Sequence, residues 1–182
     1  MDMTMNDNAK ATVFRHPTSD RWTLHRALCE SFLEPGQTQD FSYDVVSDDL
    51  SIVRHRSDEP VYPDGEFLFR ITYSPKNRQY SGDGTSRPKF YDIEGYEQWL
   101  LKRLEGPLDI SMMETAKHDL LVNANGHRRK IRGAITYATA RIIDPVALDP
   151  IWRRGIGQAR CYGFGMIVPI GDGNLPLALA AA

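Results

Sequence analysis

Three groups of residues in this chain have types and spacing suited to chemistry on a charged substrate. The first is GIGQARCYGFG, Gly155 to Gly165, in which two Gly-x-Gly pairs are separated by five residues. Glycine takes positive φ without steric cost and lets another backbone approach closely, so four glycines in eleven residues describe a loop shaped for contact. The second is a basic block, HRRKIR (His127 to Arg132) with Arg141, Arg153, Arg154 and Arg160. Such a block suits phosphate, because each neutralised phosphate releases condensed counterions; the same composition also serves as a solvated face. The third is His25, one helical turn after Trp22 and one before Cys29. An imidazole titrates near pKa ~6.5 and can take or give a proton at neutral pH. On the flank of an amphipathic helix a histidine more often simply packs.

What is missing narrows the chemistry. The sequence has no carboxylate pair at metal-ligand spacing, no His-x-x-x-His and no cysteine cluster, so two-metal hydrolysis has no visible ligands, and no metal or cofactor is expected. The glycine motif also stands in the wrong order for a nucleotide fingerprint. That fingerprint runs strand, glycines, helix, which sets phosphate at the positive end of a helix dipole. Here DPVALDPIWRRG reads as a helix before the glycines, with Asp144 as N-cap, Pro145 at its first position and Gly155 as terminator. Phe164 to Val168 reads as a strand after them.

Composition sets the setting. The 182 residues are 41% hydrophobic, enough for a real core in one domain or two small ones. Cys29 and Cys161 are too few for a disulfide framework, which points to a reducing, cytoplasmic location. No run is apolar enough to span a membrane, and no signal peptide precedes the first elements. The net charge of −2 hides an asymmetry: residues 1–60 hold six Lys or Arg against eleven Asp or Glu, and residues 121–160 hold eight against two.

The elements that must carry these groups follow from periodicity. Met1 to about Asn8 is polar and expected to be disordered. Ala11 to Arg15 reads as a strand, and Thr18, Ser19 and Asp20 offer N-caps for a helix to about Leu33, with Leu24, Ala27, Leu28, Ser31 and Phe32 as its buried stripe. Phe41–Val46 and Leu50–Arg56 alternate and are joined by a tight Ser47–Asp49 turn. The nine residues before Glu66 cannot hold a helix and a strand, so the N-terminal β, α, β, β series is expected to be truncated. Phe67 to Pro75 reads as a strand, followed by a basic loop from Lys76 to Lys89 with Tyr80 in it. A helix over Glu94–Leu104 comes next, with Trp99 as core. Asp119–Asn123, an Asn125-Gly126 turn and Lys130–Thr139 read as a hairpin before the last helix, glycine loop and strand. The fold class expected is α+β, two ferredoxin-like (RRM-like) βαββαβ units in tandem with the N-terminal one truncated. Their bounds are 1–64 and 65–170, followed by a tail over 171–182.

GIGQARCYGFG resembles the C-terminal glycine-rich loop of the RAMP superfamily of CRISPR-associated proteins: Gly, apolar, Gly, five residues, Gly, apolar, Gly. It looks most like that of the CasE-type endoribonucleases that process CRISPR precursor RNA, with Arg160 where the family often carries a basic residue. WTLHRAL, Trp22 to Leu28, resembles the family's helix of tyrosine, two residues, histidine, in which the histidine is catalytic; Trp22 stands at the tyrosine position. The strand with Arg70 resembles the family's Arg-x-Arg strand, Thr72 replacing the second arginine, and EGYEQWLLKRLEG resembles its tryptophan-bearing helix. The resemblance covers most of residues 11–169.

It implies a metal-independent RNA endonuclease that cuts CRISPR precursor RNA beside the repeat hairpin by 2′-OH attack, leaving a 2′,3′-cyclic phosphate and a 5′-OH. His25 would transfer a proton, with Arg26 or Arg160 near the scissile phosphate. RNA contacts would come from Trp22, Arg70 and the loop residues Lys76, Arg78, Arg87 and Lys89. Arg128, Arg129 and Lys130 in the basic block, and Arg153, Arg154, Gly157 and Arg160 around the glycine loop, would complete them. The partners implied are the repeat hairpin or guide RNA and other Cascade-type subunits, with no membrane. The second proton-transfer group is open among Tyr43, Tyr73, Tyr80, Cys29 and water. Two other readings stand beside this one: a guide-RNA cap without catalysis, favoured by Trp22, and an unrelated ferredoxin-like domain that binds a ligand or protein.

Overall fold

The computed structural model describes residues 3–6, 11–16, 18, 20–34, 37–75, 78–80, 86–88, 91–124 and 127–170. In chain order the first part holds β1 (Met3–Asn6), β2 (Ala11–Arg15), α1 (Arg21–Phe32), β3 (Phe41–Ser47) and β4 (Leu50–His55). These four strands form one antiparallel sheet in the order β1-β2-β4-β3. The expected β, α, β, β series is preceded by a further strand: β1 pairs along β2, with Met3 opposite Phe14 and Asn6 opposite Ala11. The expectation of a disordered N-terminus is corrected over Met3–Asn6, because an open strand edge at β2 offers backbone donors and acceptors that even a polar segment can pair with.

The second part holds β5 (Glu66–Tyr73), β6 (Arg78–Tyr80), β7 (Ser86–Pro88), α2 (Ile93–Leu104), β8 (Leu108–Lys117), β9 (Leu120–Ala124), β10 (His127–Ile131), β11 (Ala134–Ile142), α3 (Pro145–Arg154), a 3₁₀ turn (Arg160–Tyr162) and β12 (Ile167–Ile170). Four of its strands form an antiparallel sheet in the order β12-β5-β11-β8. Two separate two-stranded ribbons, β6-β7 and β9-β10, are appended. β6-β7 falls within the expected basic loop. β11 pairs with β5 and β8, not with the 119–123 segment, which instead forms its own ribbon with β10; the Asn125-Gly126 turn between them lies outside the described residues. β8 escapes sequence reading because it is an edge strand, exposed along most of its length with Met112 at 70%, so no apolar alternation marks it. The last strand begins at Ile167 rather than Phe164, since Gly163 and Gly165 hold φ of 81° and 92° and cannot extend it.

Alternation along the strands stacks the molecule into layers. Phe14, Phe41, Tyr43, Val45 and Val53 face α1, meeting Leu24 and Leu28. Phe67, Phe69, Ile71 and Tyr73 point from β5 into the core formed with Leu100 and Leu104 of α2 and Leu148 and Trp152 of α3. The opposite faces of the two sheets meet each other through Ile52, Met166, Val168 and Ile170. Between them lies a buried ion pair, Arg70 Nη1 to Asp44 Oδ2 at 2.9 Å, and the same guanidinium donates to the Val45 carbonyl at 3.1 Å. Arg70 is thus corrected from an RNA contact to an inter-sheet tie: a charge turned inward on β5 finds its partner in the neighbouring sheet. Trp99 packs against the core as expected, stacked on Tyr73 at 5.7 Å between centroids with the Arg103 guanidinium over its ring.

Candidate active site

α1 is fixed at its start by Asp20, whose carboxylate accepts from the Thr23 backbone N–H at 2.9 Å and the Thr23 hydroxyl at 2.6 Å. Leu24 and Leu28 bury one stripe against the first sheet, which leaves Trp22, His25 and Cys29 on the adjoining flank, half-buried. The rings of Trp22 and His25 lie 5.8 Å apart, and the Cys29 sulfur sits 3.7 Å from His25 Nε2 and 3.9 Å from Nδ1. Burial pushes the His25 imidazole below its ordinary 6.5, so near neutral pH it is an uncharged proton acceptor. Burial pushes the Cys29 thiol up, which leaves it protonated and a poor nucleophile.

The glycine-rich loop supplies the opposite wall. α3 ends at Gly155, and the chain then crosses the end of β5: Gln158 N–H donates to the Ser74 carbonyl at 2.9 Å and Gly165 N–H to that of Thr72 at 2.5 Å. Gly157 has φ of 80°, and a Cβ there would stand 2.6 Å from the Ser74 carbonyl oxygen. Its function in this structure is to seat the loop on β5. The 3₁₀ turn that follows leans on α1: Tyr43 of β3 donates to the Cys161 carbonyl at 2.7 Å, and the Tyr162 ring lies 6.4 Å from that of Trp22. Trp22 therefore touches both His25 and Tyr162, which come from opposite ends of the chain.

The β9-β10 ribbon closes a third side. Arg129 is paired across the ribbon with buried Val122, so the two share a face. The positive charge of Arg129 acts on the Tyr162 phenol, although burial still holds that phenol above its ordinary value. Arg128 is exposed on the same strand, and Lys130 pairs with Asp119 at 2.8 Å. Arg26 does not join this site. One residue past His25 it lies about 100° around the helix, exposed and 3.7 Å from Glu30.

A second basic surface lies next to the loop. Arg56, Arg153, Arg154 and Arg160 line an open cleft of about 720 Å³ together with Thr38, Gln39, Asp40 and Ser57. Arg153 is committed to the fold, donating to Asp149 at 2.8 Å and to the carbonyls of Arg56 and Asp58. Arg160 donates to the Arg154 carbonyl at 3.2 Å. Burial, and then repulsion from Arg160 and Arg154, lower the pKa of Arg56, as expected of guanidiniums gathered with too little acid to neutralise them. Arg78 and Arg87 stand on β6 and β7, while Lys76 and Lys89 lie outside the described residues.

Sequence reasoning missed Arg56 and Tyr162. Arg56 could not be linked to Arg160 without knowing how the two sheets pack face to face. Tyr162 sat inside the glycine motif in plain view, but its proximity to Trp22 is a tertiary fact. Of the tyrosines considered earlier, Tyr43 is spent on Cys161, and Tyr73 is buried, bonded to Thr136, with its pKa pushed up to about 12. Tyr80 lies on β6. Among the described residues, no group of three or more His, Cys, Asp and Glu is placed to hold a metal ion, and no helix is long and apolar enough to cross a membrane.

No protein-family model matches the sequence, and no curated protein matches it significantly. Solved structures do. The chain is similar to the CRISPR-associated protein Cas6e from Escherichia coli K-12, with 18% identity and a TM-score of 0.64 over 88% of this chain and 97% of that one. It is similar to Thermus thermophilus Cse3 bound to an RNA representing a pre-cleavage complex, with 15% identity and a TM-score of 0.65 over 88% and 98%. It is also similar to a chain of a CRISPR RNA-guided surveillance complex, with 19% identity and a TM-score of 0.65 over 87% and 97%. At these identities the likeness shows a shared fold.

Proposed function

We propose that this protein is a CRISPR precursor-RNA endonuclease that remains on its product as a subunit of a Cascade-type complex in the cytoplasm. Its two sheets are read as two ferredoxin-like units, 1–64 and 65–170, the first lacking its second helix and last strand and carrying β1 in their place. The observation that carries the proposal is the neutral, half-buried His25 at the junction of α1 and the glycine-loop turn, in a chain whose fold is that of Cse3 bound to RNA. RNA brings its own nucleophile, so the protein has to move protons and stabilise charge. His25 takes the proton of the 2′-OH, the oxygen forms a bond to the adjacent phosphorus, and the bond from phosphorus to the 5′ oxygen breaks. The products are a 2′,3′-cyclic phosphate and a 5′-OH.

Trp22 offers an aromatic face beside the reacting group on which an unpaired base can stack. Arg129 places positive charge at the same opening, while Arg128 and Lys130 stand on the other face of β10, Lys130 already paired with Asp119, and offer a separate phosphate contact there. Arg154 and Arg160, joined by Arg56, provide a second phosphate-binding surface across the glycine loop. The direct test is incubation of the protein, in EDTA, with CRISPR repeat RNA. The expected result is one cut beside the hairpin with a cyclic phosphate on the upstream fragment. Tight binding without a cut would favour the non-catalytic guide-RNA cap, and absence of affinity at low salt would remove both RNA readings.

A further inference from the structure

In-line attack on a phosphodiester needs two proton transfers, one from the nucleophile and one to the departing oxygen, and His25 can perform only one of them at a time. We infer that Tyr162, carried to the site by the glycine-rich loop, protonates the departing 5′ oxygen; this rests on the reading of the site as a ribonuclease. Three observations assign it. The Tyr162 ring lies 6.4 Å from Trp22 and that of His25 5.8 Å from the same indole, so two proton-transfer groups flank one aromatic surface. Tyr162 is only partly buried, whereas Tyr43 and Tyr73 are fully buried and already bonded inside the protein. The charge facing Tyr162 from the neighbouring ribbon is Arg129, which stabilises a transient phenolate, and the titratable group beside it on its own turn is Cys161.

The protonation states are consistent with this division. His25, packed against Trp22 and Cys29, is held neutral by burial and suits the base; Tyr162, held protonated by burial, suits the acid. In the step, the 2′-OH proton goes to the imidazole, the oxygen–phosphorus bond forms, the phosphorus–5′ oxygen bond breaks, and the phenol proton goes to the 5′ oxygen. The phenolate recovers its proton from solvent or from the imidazolium, which returns both groups to their starting states. A phenol is a much stronger acid than the alcohol it releases, so the transfer is downhill.

The test is single-turnover cleavage by wild type and by Tyr162→Phe, which keeps the ring against Trp22. Two substrates are used: ordinary repeat RNA, and the same RNA with sulfur in place of the bridging 5′ oxygen. A thiolate leaves without protonation. The inference expects Tyr162→Phe to bind RNA as wild type does, to cut ordinary RNA at least tenfold more slowly, and to cut the sulfur substrate at the wild-type rate. Wild-type speed on ordinary RNA, or an equal deficit on both substrates, overturns it. Absence of any cleavage by wild type would instead overturn the ribonuclease reading and this role with it.

Discussion

In the proposed reaction His25 acts in its neutral form. The flank of α1 and the Trp22 ring withdraw it from water, and an imidazole in that position resists protonation. If the neutral ring is the base, protonating it stops the reaction. The cleavage rate should therefore rise with pH through an inflection below the ordinary 6.5 and be level by neutrality. It should stay level until the solution is alkaline enough to ionise Tyr162, whose phenol burial holds above its usual 10. A single-turnover pH profile checks both limbs; an inflection above 6.5 would mean that His25 is not a buried base. The place of His25 on the flank of α1 was legible from the helical spacing of its buried stripe, whereas its proposed role came only from the resemblance, since a histidine on such a flank more often packs. Arg70 was misread for an equally physical reason: nothing in the alternation of FLFRITY reveals that the first sheet lies over its polar face and brings Asp44 to 2.9 Å.

The glycine loop joins α3, the end of β5 and α1, and its backbone geometry sets where Tyr162 stands. At Gly157 a Cβ would collide with the Ser74 carbonyl, and the residue holds φ of 80°, a region that costs other residues about 1–3 kcal/mol. Gly157→Ala should lower stability by at least that amount in denaturant unfolding. It should also slow cleavage by displacing the turn from α1. The helix before the loop was readable to its caps, because Asp144, Pro145 and Gly155 are local signals, and all three act as read. β8 and β1 were not readable. Both lie at a sheet edge where pairing, not apolar alternation, makes the strand.

Across the whole molecule, two sheets packed face to face hold the site together, since His25 belongs to one part and Tyr162 to the other. The Asp44–Arg70 pair is buried in that contact. Asp44 faces the largely buried Arg21 as well as Arg70, so removing the carboxylate leaves two guanidiniums uncompensated: Asp44→Leu should cost about 3–5 kcal/mol in unfolding free energy, and adding Arg70→Met should restore only part of it. RNA binding has its own signature at this scale. Affinity spread over Arg56, Arg128, Arg129, Arg154 and Arg160 should fall steeply and linearly as log Kd against log salt, and Arg56→Ala should make that slope shallower. Metal-free cleavage by His25 is to be measured by single-turnover cutting of repeat RNA in EDTA by wild type and by His25→Ala. The expected result is a cut with a cyclic phosphate end by wild type, and none by His25→Ala at unchanged RNA affinity. Equal cleavage by the two proteins would contradict it.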